Sequence, residues 1–156
     1  MPLVRDLVAQ FIQSEGHKVD VSPVDDGEGI TEILFRTRGQ VFSVTTYENE
    51  PGTYMVSTAY EVPDWARERG QNAETLEVVN QDYPDITFIM AHDGGLFVAT
   101  AEEQPGSPEA FTHAFWETVA RVREAGAAAI ERIVDRTESK SAAEKFINSF
   151  MLGGGQ

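Results

Sequence analysis

Leu3, Val4, Leu7, Val8, Phe11 and Ile12 recur at helical spacing at the start of the chain, with Arg5, Asp6, Gln10 and Gln13 between them. This places the apolar side chains on one stripe and predicts an amphipathic helix that stops at Gly16. A short strand over residues 17–21 and a turn-rich loop from Pro23 to Gly29 follow. From Thr31 the period changes to two. Residues 31–38 and 41–47 read as strands joined through Gly39. Asn49, Glu50, Pro51 and Gly52 form a turn signal, and residues 54–62 make the next strand. In it Tyr54, Val56, Thr58, Tyr60 and Val62 point one way, while Met55, Ser57, Ala59 and Glu61 point the other.

Residues 63–71 read as a linker with a helical turn at Trp65. Asn72 is placed as the N-cap of a short helix over 73–83 that carries Leu76, Val79 and Tyr83, and Pro84 ends it. Residues 86–91 and 96–101 form a hairpin around His92, Asp93, Gly94 and Gly95. Ser107, Pro108 and Glu109 open the longest helix, since serine caps, proline fits the first turn and glutamate favours the positive helix end. Its apolar stripe runs through Phe111, Phe115, Val119, Val122, Ala129, Ile130 and Ile133 to about Val134. Gly126 within it either weakens the helix, by about 1 kcal/mol relative to alanine, or marks a close contact. Ser141 and Glu144 make a capping box for a separate final helix with Phe146, Ile147, Phe150 and Met151.

The expected fold class is therefore α+β, with an antiparallel sheet of five to six strands packed against helices in the order α-β(3-4)-α-ββ-α-α. Residues 1–134 form a single domain, and 135–156 add the short helix and a glycine-rich tail. The sheet offers apolar residues on both faces, with Ile33 and Phe35 against Leu34 in one strand and Phe42 and Val44 against Val41 and Tyr47 in the next, and one face packs on the helices. The second face is then partly uncovered, and exposed apolar patches mark partner sites.

Composition adds exclusions. Of the 156 residues 41% are hydrophobic and 24% charged, which is ordinary for a globular chain. There is no cysteine, so disulfides and thiolate chemistry are absent. A net charge of −14 disfavours nucleic acid and anionic membranes. No apolar run is long enough for a membrane helix, and the first residues are too polar for a signal peptide, so a cytoplasmic location is expected. The acid is concentrated in the first 110 residues, and the last 46 carry six basic and six acidic side chains. This surface either serves solubility alone or offers an acidic face to a basic partner.

The search for chemistry returns little. His17, His92 and His113 fall in separate elements, without a ligand spacing such as i, i+4, and read as surface or turn residues. Asp25, Asp26, Gly27, Glu28 and Gly29 lack the alternating oxygens of a calcium loop and read as an acidic turn. His92 and Asp93 are explained by hairpin geometry. Nucleophile-elbow, phosphate-loop and dinucleotide motifs are missing. No catalytic, cofactor or metal site is expected. The last helix, with Phe146, Ile147, Phe150 and Met151, is too short to stand alone and docks either on its own domain or on a second subunit; these four are the candidate partner-binding residues.

The element order resembles the type III secretion chaperone-like fold, in particular its YbjN-type bacterial family. The opening helix with Leu3 and Ile12, the strands ILFRTRGQVFSVTTY and TYMVSTAYEV, the short helix before Tyr83 and Pro84, the hairpin ITFIMAHDGGLFVATA and the long helix FTHAFWETVARV carry the likeness. The helix at 141–151 and the long 63–71 linker depart from the pattern. The resemblance implies cytoplasmic, acidic homodimers, client segments held along apolar grooves in the chaperones, and a link to stress and regulation in the YbjN branch. The expected function is a non-catalytic, chaperone-like or adaptor protein that dimerises and binds a protein segment. The alternative is a small-molecule-sensing domain with a pocket between sheet and long helix, lined by Trp116, Tyr54 or Tyr60.

Overall fold

The computed structural model describes residues 4–23, 29–91 and 93–154, with side chains followed as far as residue 140 and omitted at 4, 23 and 51. Helix α1 (Val4–Ser14) leads into strands β1 (Val19–Pro23), β2 (Ile30–Thr37), β3 (Gln40–Tyr47) and β4 (Glu50–Glu61). A 3-10 turn (Asp64–Ala66) and helix α2 (Arg69–Asp82) precede β5 (Thr87–Met90), β6 (Leu96–Glu103) and helix α3 (Pro108–Gly154). The six strands form one fully antiparallel sheet in the order β1-β2-β3-β4-β6-β5. The α+β class and the strand number match expectation. The hairpin β5–β6 is turned so that β6, not β5, lies beside β4.

The strands form where the side-chain period is two, and tight turns set their registers. Arg38 and Gly39 join β2 to β3 with φ of 50° and 77°, the double positive φ of the hairpin turn whose twist matches the strands. The next turn is shorter than Asn49–Gly52 suggested. Glu48 and Asn49 turn the chain, and β4 already pairs at Glu50 with Tyr47. Pro51 and Gly52 fall where the register slips between Thr46 and Tyr47, an irregularity that tolerates a missing N–H.

All three helices lie on one face. There Ile33, Phe35, Phe42, Val44, Tyr54 and Val56 meet Val8 and Ile12 of α1 and Phe111, Phe115, Val119 and Val122 of α3. The rings pack edge-on: Phe11 lies 5.4 Å from Phe111 at 74°, and Tyr54 lies 5.4 Å from Phe111 at 80°. A second cluster joins Val62, Ala66, Leu76, Val79 and Phe97 to Ala129 and Ile133, with Tyr60 and Phe88 packed against both clusters. Gly126 is the close-contact position, lying against the Tyr60 ring.

Two helix boundaries are corrected. Asn72 is not the N-cap of α2. The helix starts a turn earlier at Arg69, and Asn72 is fully buried within its first turn, donating Nδ2–H to the Ala66 carbonyl at 2.9 Å. Nor do two helices close the chain. Helix α3 is continuous over 47 residues, about 70 Å at 1.5 Å per residue. The Ser141–Glu144 pattern does not restart it, because residues 127–152 contain no glycine or proline to break the preceding turns.

Candidate interaction surface

The alternation that buries one side of the sheet leaves the other side, among the described residues, without a helix over it. The registers place residues on this open face in cross-strand rows. Leu34, Ser43, Ser57, Thr100 and Thr87 form a central row. The Ser57 hydroxyl donates to Thr100 Oγ1 at 2.8 Å, so part of that row is a hydroxyl ladder. Beside it lies an apolar row: Ala59 opposite Val98, Val98 opposite Ile89, and Val41 paired with Arg36. Ile89 is 58% exposed and Val41 45%. Leu96, opposite Glu61, extends the apolar strip. Glu32, Thr45, Met55 and Glu102 make the row on the other flank.

This face is a shallow trough of about 430 Å3 floored by Leu34, Val41, Ser43, Ser57, Ala59 and Val98. Its charged border is mostly acidic. Glu32, Glu61 and Glu102 face Arg36 alone among the basic side chains in these rows, and Glu61 sits 3.7 Å from Arg67. Tyr47 lies near Glu102 and Glu50; burial, then those two carboxylates, raises its phenol above the ordinary value of 10.0. An apolar strip inside an anionic border suits a segment that is apolar on one side and basic on the other.

The other candidates disperse. His17 caps the turn after α1, its Nδ1 3.1 Å from the Arg36 carbonyl oxygen and its ring 5.2 Å from Trp116. His113 is exposed on α3, far along the chain from His17 and in a different element. Asp93 Oδ1 accepts the Gly95 amide at 2.9 Å, which is hairpin geometry; His92 lies outside the described residues, as does the acidic stretch 25–28. Among the described residues no three His, Asp or Glu side chains gather as a metal site would require. Phe146, Ile147, Phe150 and Met151 lie on the continuous α3 backbone, but their side chains fall outside the described residues.

The residues named for a pocket between sheet and long helix separate. Trp116 borders an open surface notch of about 370 Å3 with His17, Arg38 and Arg123. Tyr60 is wedged against Gly126, its hydroxyl donating to the Arg123 carbonyl at 3.0 Å. Tyr54 is fully buried, and among the described residues its hydroxyl has no hydrogen-bond partner; nearby Thr118 instead donates to Glu103 Oε1 at 3.2 Å. Burial first, and the Glu103 carboxylate second, push the Tyr54 phenol well above 10.0.

A phenol held neutral in the fold but free to ionise near pH 10 when unfolded leaves stability intact below pH 10 and lowers it above. The loss per such group is about 1.4 kcal/mol for each pH unit past that point, until the folded-state phenol itself ionises. Tyr54→Phe removes both the unpaired hydroxyl and this linkage. It is expected to be neutral or stabilising by up to about 1 kcal/mol at pH 7. Between pH 10 and 11.5 its urea midpoint should fall less steeply than that of the parent protein. Equal alkaline slopes in the two proteins would remove Tyr54 as a contributor.

Among the described residues no helix is long and apolar enough to cross a membrane. No protein-family model matches the chain, and no curated protein matches it by sequence. Solved structures do match by shape. An uncharacterized protein from Methanothermobacter thermautotrophicus superposes with a TM-score of 0.64 at 13% identity, over 86% of this chain and 99% of that one. YbjN from E. coli, a putative transcription regulator, superposes with a TM-score of 0.53 at 14% identity, over 85% of this chain and 93% of that one. At these identities the likeness is one of fold, and the fold of this chain is YbjN-like.

Proposed function

We propose that this protein is a non-catalytic, chaperone-like or adaptor module of the cytoplasm that binds a segment of another protein on its open sheet face. The observation that carries this reading is the strip formed by Val41, Ala59, Val98, Ile89 and Leu96, which no described helix covers, while the opposite face packs against the helices. The acidic border selects for lysine and arginine in the partner and speeds encounter with it. In this reading the protein acts as a dimer, and the subunits meet through the C-terminal end of α3, where Phe146, Ile147, Phe150 and Met151 recur at helical spacing.

The test uses a fluorescent amphipathic peptide of leucine and lysine, compared with a lysine–serine peptide of equal charge. The parent protein should bind the first at least about tenfold more tightly than the second, because apolar contact adds to charge. Val98→Glu and Ile89→Glu should abolish that preference while leaving the fold intact by circular dichroism. Equal binding of both peptides, or an unchanged preference in the two variants, rules out the sheet face. Sedimentation of the parent protein and of Phe146→Ser with Phe150→Ser tests the dimer separately: the parent should have twice the monomer mass, and the double variant should be monomeric.

A further inference from the structure

The groove between α2 and α3 carries charge opposite to that of the molecule as a whole. Arg132, Arg136 and Lys140 succeed one another at i, i+4 spacing along α3 and, with Gln71, Glu74 and Thr75 of α2, line an open groove of about 490 Å3. Among the described residues Glu74 is the single acid on that lining, against three cations, in a chain whose net charge is −14.

Arg136 is held as a bare cation. Its guanidinium donates to the Gln71 carbonyl, the Thr75 hydroxyl and, at 2.7 Å, Asn72 Oδ1, all neutral oxygens, and its buried Nε finds no acceptor among the described residues. Among the described residues no carboxylate pairs with Arg136 or Arg132, whereas Lys140 reaches Glu68 at 3.5 Å. A partly buried guanidinium with no counter-ion beside a second unpaired one raises the local potential and is costly unless an anion enters.

We infer that this groove binds a small molecule bearing a diphosphate group. Arg132, one helical turn (about 6 Å of rise) from Arg136, can offer its planar guanidinium fork to one end of such a group, while Arg136, whose Nη1 hydrogens are already given to Gln71 and Thr75, adds its charge at the other. Arg136 is fixed in place by α2, so its orientation needs no ordering on binding. Val78, 39% exposed, gives the groove one apolar wall. A nucleoside diphosphate could rest its base there, and free pyrophosphate could not. The site is separate from the open sheet face and does not depend on peptide binding there.

The experiment titrates sodium pyrophosphate, and in a second arm ADP, into the full-length protein at 150 mM sodium chloride, followed by amide chemical shifts. Saturable shifts should concentrate in residues 71–79 and 132–140. Arg132→Gln, on an exposed position, should weaken binding about tenfold. Val78→Glu, which adds a carboxylate to the groove, should weaken it further, and both variants should keep the parent melting temperature within about 2 °C. Tighter binding of ADP than of pyrophosphate, lost in Val78→Glu, identifies the nucleoside as part of the ligand; equal binding identifies the diphosphate alone. The inference is overturned if no saturable shifts arise in these segments by roughly 10 mM ligand, or if all three proteins bind alike.

Discussion

Gly126→Ala is expected to destabilise the protein by about 2–3 kcal/mol, although alanine is the better helix former by about 1 kcal/mol. A Cβ at this position would overlap Cε2 and Cζ of the Tyr60 ring and lie 2.6 Å from its hydroxyl. The half-buried ring is held from two sides. It stacks on Phe97 at 5.3 Å and 15°, and its hydroxyl is tied to the Arg123 carbonyl one turn earlier in α3. Relief therefore requires either breaking these two contacts or moving α3 off β4 along the seam that joins the two core clusters. For a chain of this size the melting temperature should drop by roughly 8 °C. Repeating the substitution in a Tyr60→Leu background separates the causes: with the ring gone, alanine should become neutral or mildly stabilising. A stabilising Gly126→Ala in the parent protein would mean that the ring yields.

That contact shows how far the sequence reaches. Periodicity marked the strands, and alternation in β4 correctly sorted Tyr54, Val56 and Val62 to the packed side and Ala59 and Glu61 to the open one. Both are local properties of a pleated chain. Gly126 was visible as an anomaly in an apolar helical stripe, but whether it signified weakness or contact depended on Tyr60, 66 positions away. The placing of β6 beside β4 was equally hidden, because hairpin signals specify which strands join and not which of the two faces the rest of the sheet.

The open face could be anticipated from alternation, while the cationic groove could not. Arg132, Arg136 and Lys140 sit in a segment whose charges balance, with Glu131, Asp135 and Glu138 interleaved. Helical rotation separates the signs onto different faces, and α2 then selects the basic one. Asn72 was misplaced for a related reason. It satisfies the local rule for a helix cap, and a long-range demand from Arg136 and Ala66 overrides it.

Asn72→Ala tests that demand and is expected to cost about 3 kcal/mol. Asn72 is fully buried and uses both ends of its amide, giving a proton to the Ala66 carbonyl and accepting one from Arg136. Truncation takes an acceptor from the partly buried guanidinium, a bond to charge worth about 1.5–3 kcal/mol, and a donor worth about 1 kcal/mol from the Ala66 carbonyl, which keeps the Glu68 amide at 3.0 Å. A helix cap lost at the surface would cost about 1 kcal/mol and would be indifferent to Arg136. The distinction is therefore measurable in a double-mutant cycle. Arg136→Met alone forfeits its bonds to α2, but in the Asn72→Ala background it removes an unsatisfied cation, so the two substitutions should couple by at least about 1.5 kcal/mol. Urea unfolding of the four proteins supplies the cycle. Additive losses would return Asn72 to the role of an ordinary helical residue, whereas strong coupling would show that the 3-10 turn, α2 and α3 are held as one unit by a single amide.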